Sequence, residues 1–208
     1  MIILGLTGSV GMGKSTAAAM FRRLGVAVHD ADVAVHRLLA PKGAAVAAVA
    51  RDFPGVRRPD GGIDRPALGA RVFADPAALK RLEHILHPLV RRSQQRFLAR
   101  ARARRLTLVV LDIPLLFEGG GAGRCDKVVV VSAPAFLQRA RVLARPGMTA
   151  VRLAAILAQQ MPDAQKRMRA DYVVPSGLGR AVTFRRLARI VRELRAQPPA
   201  EPCAADSA

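Results

Sequence analysis

Five short apolar runs punctuate the chain: Ile2–Leu6, Val26–His29, Thr107–Leu111, Lys127–Val131 and Tyr172–Val174. Each is continuous rather than alternating, the pattern of a strand buried on both faces. Helically spaced segments separate them. Strands that alternate with helices predict a doubly wound parallel sheet covered on both faces. Such sheets bind ligands at the carboxyl ends of their strands. Every predicted strand here runs straight into an informative residue: a glycine loop from Gly8, Asp30-Ala31-Asp32, Asp112, Ser132, and Pro175-Ser176. The expectation is that these ends converge on one cleft.

Two stretches exceed what a simple crossover needs. Residues 33–105 hold a turn, Arg58-Pro59-Asp60-Gly61-Gly62, and then a long helical segment. Asp75 is placed to cap that segment, Pro76 to take its first position and Pro88 to kink or break it. This reads as a helical insertion suited to a second substrate. Residues 137–168 form another basic, helical stretch, placed as a lid. A small-residue tail, predicted to be disordered, begins at Gln197-Pro198-Pro199. The whole of residues 1–196 is read as one domain.

Composition changes the picture little. No apolar run reaches the roughly 18 residues of a membrane helix. The N-terminus lacks the basic head of a signal peptide, so a cytoplasmic protein is expected. Cys125 and Cys203 have no metal-site spacing. Net charge is +19, with 34 Lys and Arg against 15 Asp and Glu. The arginines are spread over nearly every predicted helix, and aromatics make up only 4% with no tryptophan. That argues for solvated surface plus a phosphate site rather than specific nucleic-acid binding, which wants a clustered basic face and stacking platforms. A monomer or small homo-oligomer is expected.

The chemistry is concentrated in Gly8-Ser9-Val10-Gly11-Met12-Gly13-Lys14-Ser15-Thr16, a full match to the P-loop pattern G-x-x-x-x-G-K-[ST]. Inward-pointing backbone N–H groups form an anion nest, and glycines permit the backbone angles it needs. The helix predicted over Lys14–Leu24 aims its positive end at the phosphates. Lys14 would neutralise β- and γ-phosphate oxygens of ATP, and the Ser15 hydroxyl would ligate Mg²⁺. Asp112, at the tip of the third strand, either joins the Mg²⁺ site or caps the turn before Pro114. Asp30 and Asp32 serve equally well as a helix N-cap or as the carboxylate that takes a proton from an acceptor hydroxyl. Arg139, Arg141 and Arg145 lie where a lid would close over a transferring phosphoryl group. His84 and His87 share one helix face, which two histidines occupy more often as core or surface residues than as metal ligands.

Taken in order, the blocks "GLTGSVGMGKST", "DADVAVHRLL", "DGGIDRPALGARVF", "LEHILHP", "DIPLLFE", "QRARVLAR" and "ADYVV" resemble the dephospho-coenzyme A kinase family over roughly residues 2–195. The P-loop is common to many nucleotide-hydrolysing proteins; the other blocks in this order are far more specific. The resemblance implies a three-layer α/β/α P-loop fold and ATP-dependent phosphorylation of the ribose 3′-hydroxyl of dephospho-coenzyme A. It implies Asp32 as the base or hydroxyl-orienting group, and Arg141 and Arg145 as lid arginines. Arg65, His87, Leu115, Leu116 and Glu118 become candidates for the acceptor site. The chain departs from the family at Ser176, where an asparagine is usual near the ATP base, and near Ile156, where many members carry an arginine.

The rival readings are another small-metabolite or nucleoside monophosphate kinase on the same fold, and a P-loop regulator or nucleic-acid-stimulated ATPase. The long helical insertion and the "PLLFE" block speak against the first. The second predicts ATP hydrolysis raised by DNA or RNA with no small acceptor.

Overall fold

A computed structural model describes residues 1–73 and 75–196; the predicted tail and Cys203 lie outside the described residues. The elements run β1 (Ile2–Thr7), α1 (Lys14–Arg23), β2 (Ala27–Asp30), α2 (Ala31–Leu39), α3 (Val46–Asp52), α4 (Arg65–Phe73) and α5 (Pro76–Ala103). Then come β3 (Leu108–Asp112), β4 (Lys127–Ser132), α6 (Ala135–Leu143), α7 (Ala150–Ala158), α8 (Asp163–Met168), β5 (Tyr172–Pro175) and α9 (Arg180–Ala196). All five apolar runs are strands, within one residue of the expected ends.

The strands form one parallel sheet in the order β2-β3-β1-β4-β5, with helices on both sides. β1 lies between β3 and β4, with Leu6 opposite Asp112 and Thr7 opposite Val130. Ser132 stands opposite Pro175. The carboxyl ends of β1, β3, β4 and β5 are therefore neighbours, which brings the glycine loop, Asp112, Ser132 and Ser176 to one edge.

By contacts the chain divides into two compact units, Met1–His29 with the chain from Ala101 onward, and Asp30–Arg100. In the first unit Leu4, Leu6, Val129 and Val131 of the sheet pack with Ala17 and Phe21 of α1 and Leu187 and Val191 of α9. Leu116, Val128 and Val130 form a smaller cluster. The second unit has its own core, in which Leu39, Val49, Phe53, Val56, Ile63, Leu68, Leu82 and Leu86 are buried.

In α5, Ala78, Leu82 and Leu86 recur every four residues and face that core, which explains the helix period of the segment. The Asp75 carboxylate accepts from the Ala77 N–H at 2.8 Å, and Pro76 takes the first helical position, as expected. Pro88 does not break the helix: α5 runs through it for 28 residues. Its missing N–H removes one ladder bond, and the helix on either side is long enough, and buried enough, to carry the loss. The predicted turn at Arg58–Gly62 is present, with Gly61 at φ 87° and Asp60 accepting from the Gly62 N–H. Among the described residues no helix is long and apolar enough to cross a membrane.

Phe21 is fully buried between the sheet and α9. Phe21→Ala should cost about 3–5 kcal/mol of stability, read as a lowered midpoint in urea unfolding. An unchanged midpoint would show that this packing does not hold the first unit together.

Candidate active site

The glycine loop leaves the buried end of β1 and turns into α1. Gly11 and Gly13 have φ of 76° and 91°, angles that favour glycine. Gly8 is fixed for a different reason: a Cβ there would sit 2.7 Å from the Val131 carbonyl of β4. Helix α1 starts from Gly13 with no side-chain cap and no acidic residue in its first turn. A helix start of this kind has the backbone N–H geometry that suits an anion. Beside this turn a groove of about 670 Å³ is lined by Ser15, Thr16, Ala19, Met20, Arg23, Arg180, Ala181 and Phe184.

Lys14 Nζ lies 2.7 Å from Asp112 Oδ1, and the Asp112 side chain is only 1% exposed. The carboxylate is thus ion-paired to the lysine of the loop. Ser15 is exposed at the same helix end. The donors gathered here, a hydroxyl and a carboxylate, are hard oxygen ligands of the kind Mg²⁺ prefers.

The lid arginines divide. All three are exposed, but Arg141 donates to the Ser176 hydroxyl at 3.0 Å and to the Ser176 carbonyl at 2.8 Å. The "PLLFE" residues divide as well. Leu115 is 44% exposed, but Leu116 is fully buried with Val128 and Val130 and offers no surface to a ligand. Glu118 Oε1 accepts from the Met161 N–H at 2.8 Å and lies 2.9 Å from Nζ of the fully buried Lys166. Burial works to raise the Glu118 carboxyl, but the Lys166 ammonium and the N–H groups of Glu118 and Met161 outweigh it. The carboxyl is held below its usual range.

The "PLLFE" block is therefore partly a structural brace. Buried Lys166 was invisible in the sequence, because within "DAQKRMRA" it reads as one more solvated base. Asp163, one turn earlier on α8, accepts from the Ser132 hydroxyl at 2.6 Å, a pairing between distant residues that local spacing does not show.

In the second unit Asp30 caps α2, accepting from the Val33 N–H at 3.0 Å. Asp32, in the first turn, is exposed. The capping role thus falls to Asp30, leaving the Asp32 carboxylate for other work. Arg65 Nη1 lies 2.9 Å from His36 Nδ1, on a cavity of about 380 Å³ that Arg58 and Asp64 also line. His84 and His87 are exposed on α5. Among the described residues no group of three or more His, Cys, Asp or Glu could hold a metal ion. Cys125 is half-buried, and burial pushes its thiol up to about 11, so it is inert at neutral pH.

Because the Glu118 carboxyl is lowered in the folded state, the stability it contributes is present above the ordinary carboxylate range and is lost as pH falls through the folded value. Lys166→Met should therefore destabilise the protein by about 3 kcal/mol at neutral pH, with the deficit shrinking in the acid limb. Urea unfolding at neutral and acid pH measures both, and a deficit that does not depend on pH would dissolve the pair.

The dephospho-CoA kinase family model matches residues 2–178. A dephospho-CoA kinase of Paramagnetospirillum magneticum is 65% identical over 207 residues, covering 100% of this chain and 97% of that protein. One of Rhodospirillum rubrum is 63% identical over 186 residues, covering 89% and 88%. Among solved structures, a Thermus thermophilus protein is similar with TM-score 0.80 and 38% identity, over 92% of this chain and 96% of that one. The dephospho-CoA kinase of Campylobacter jejuni shares the fold at TM-score 0.64 and 23% identity, over 92% and 96%. With its phosphate-type loop, its buried Lys14–Asp112 pair and this span of matched sequence, the chain belongs to the dephospho-CoA kinase family.

Proposed function

We propose that the protein transfers the γ-phosphoryl group of ATP to the ribose 3′-hydroxyl of dephospho-coenzyme A, giving coenzyme A and ADP, the last step of coenzyme A biosynthesis. Membership of the family supports the substrate pair. The observation that carries the donor site is the uncapped start of α1, with Lys14 and Asp112 joined beside it at 2.7 Å.

In this reading, residues 8–16 cradle the phosphates of ATP, and Lys14 balances the charge of the β- and γ-phosphates. Ser15 and Asp112 would hold Mg²⁺, which supplies further neutralisation of phosphate charge. Asp32 takes the proton of the ribose hydroxyl or aligns it for attack at phosphorus. Its exposed carboxylate, relieved of capping by Asp30, is suited to that role. Arg141 and Arg145 serve the transferring group from the lid. The unit formed by residues 30–100 is the acceptor-binding insertion. The Arg65–His36 cavity suits an anionic group of the substrate, and His87, Leu115 and Glu118 are further acceptor-side residues. Leu116 acts by packing rather than contact. The enzyme works in the cytoplasm, as a monomer or small homo-oligomer, with no specific nucleic acid. Catalysis is mainly positioning and electrostatics.

ADP release should require dephospho-coenzyme A and be negligible with AMP, UMP or shikimate as acceptor, with or without added DNA or RNA. Turnover on AMP as fast as on dephospho-coenzyme A would refute the reading. Asp32→Asn and Lys14→Ala should each lower turnover by roughly 10²-fold. Exposed Asp32 can be changed at little cost in stability, so loss of turnover in Asp32→Asn with an unchanged melting temperature is the expected pattern. Near-full turnover of Asp32→Asn would remove that residue from the chemistry.

A further inference from the structure

The outer wall of the glycine loop is held by side chains from three separate segments. Gln138 Nε2, on α6, donates to the Val10 carbonyl at 2.8 Å. Gln160 Oε1, two residues past α7, accepts from the Val10 N–H at 3.1 Å. The Ser176 hydroxyl donates to the Met12 carbonyl at 2.6 Å and accepts from Arg141 at 3.0 Å. A hydroxyl has one proton, so Arg141 leaves Ser176 free to donate to Met12 alone. Ser176 is itself pinned, its N–H donating to the Ser132 carbonyl at 2.8 Å.

A trans peptide points its N–H away from its C=O, and the described residues contain no cis bond. Holding the Val10 carbonyl against Gln138 therefore aims the Gly11 N–H to the opposite side. Holding the Met12 carbonyl against Ser176 does the same for the Gly13 N–H. Gln138 and Ser176 thus each fix one peptide plane next to a glycine whose φ is positive and whose backbone would otherwise be free to flip.

We propose that Ser176 and Gln138 are positioning residues for phosphoryl transfer, orienting the Gly13 and Gly11 amides that receive the donor's phosphates. The inference rests on the reading of this loop as the phosphate cradle of ATP, and adds what shapes that cradle. At Ser176, where an asparagine near the nucleotide base is usual in the family, this chain uses the side chain on the loop backbone instead.

Inorganic tripolyphosphate with Mg²⁺ separates the possibilities, because it has the phosphates of ATP without base or ribose. Titration calorimetry on the full chain should show Ser176→Ala and Gln138→Met each binding tripolyphosphate and ATP about tenfold more weakly, the effect of one lost hydrogen bond and a stranded carbonyl. Ser176→Thr, which keeps the hydroxyl, should recover most of the affinity. Gln138→Glu should be no better than Gln138→Met, since a carboxylate cannot donate to the Val10 carbonyl. Unchanged tripolyphosphate affinity in Ser176→Ala overturns the role of Ser176. So does a loss confined to ATP, which would make Ser176 a base contact, or equal weakness of the Ala and Thr variants. If Ser176→Ala does not fold, the two Gln138 variants decide by the same measurement, and recovery in Gln138→Glu overturns the proposal. Lys14→Ala is the control for the parent reading: tripolyphosphate binding that survives it unchanged shows that the loop is not the phosphate site.

Discussion

Lys14 and Asp112 meet at 2.7 Å although 98 residues separate them in sequence. The parallel pairing of β1 with β3 brings Asp112 beside Leu6, at the edge where the loop that carries Lys14 begins. A carboxylate only 1% exposed is tolerable there because a cation faces it. The same cation sits on the loop that leaves α1 uncapped. The ion pair therefore fixes the lysine of the loop against the tip of β3.

Around this pair the first unit places most of its unusual polar residues. Ser132, at the tip of β4, donates to Asp163 through its hydroxyl and accepts from the Ser176 N–H through its carbonyl. Glu118 ties the segment after β3 to Met161 and Lys166. The α8 end of the α6–α8 segment is thereby tied to the tip of β4 and to the segment after β3. Gln138 and Gln160 in turn hydrogen-bond the Val10 peptide groups of the loop.

The family resemblance and the physical reading meet at different depths. Family membership fixes the fold and the type of activity. It does not explain why Arg141, a lid arginine by resemblance, spends its guanidinium on Ser176. The contact geometry does: the arginine supplies the donor that leaves the Ser176 proton for Met12. Glu118 is similar, since a residue expected beside the substrate is held by an ammonium and a backbone N–H.

Local spacing along the chain was enough for the five strands, their parallel arrangement, the loop and its helix, and the capping at Asp75. Each of these is written in local spacing: continuous apolar runs, positive-φ glycines, a carboxylate before a helix start. Spacing alone left Asp30 and Asp32 equal between capping and catalysis, and the family resemblance pointed to Asp32 as the base. Tertiary structure assigned the cap to Asp30, buried Leu116, carried α5 through Pro88, and turned Lys166 from a surface base into a buried partner. It alone revealed Gln138, Gln160 and Ser176 on the wall of the loop. The division has one physical cause. Strand and helix patterns are set by neighbours along the chain, whereas the burial and pairing of a lone polar side chain are set by segments that come from far away in sequence and meet only when the sheet has formed.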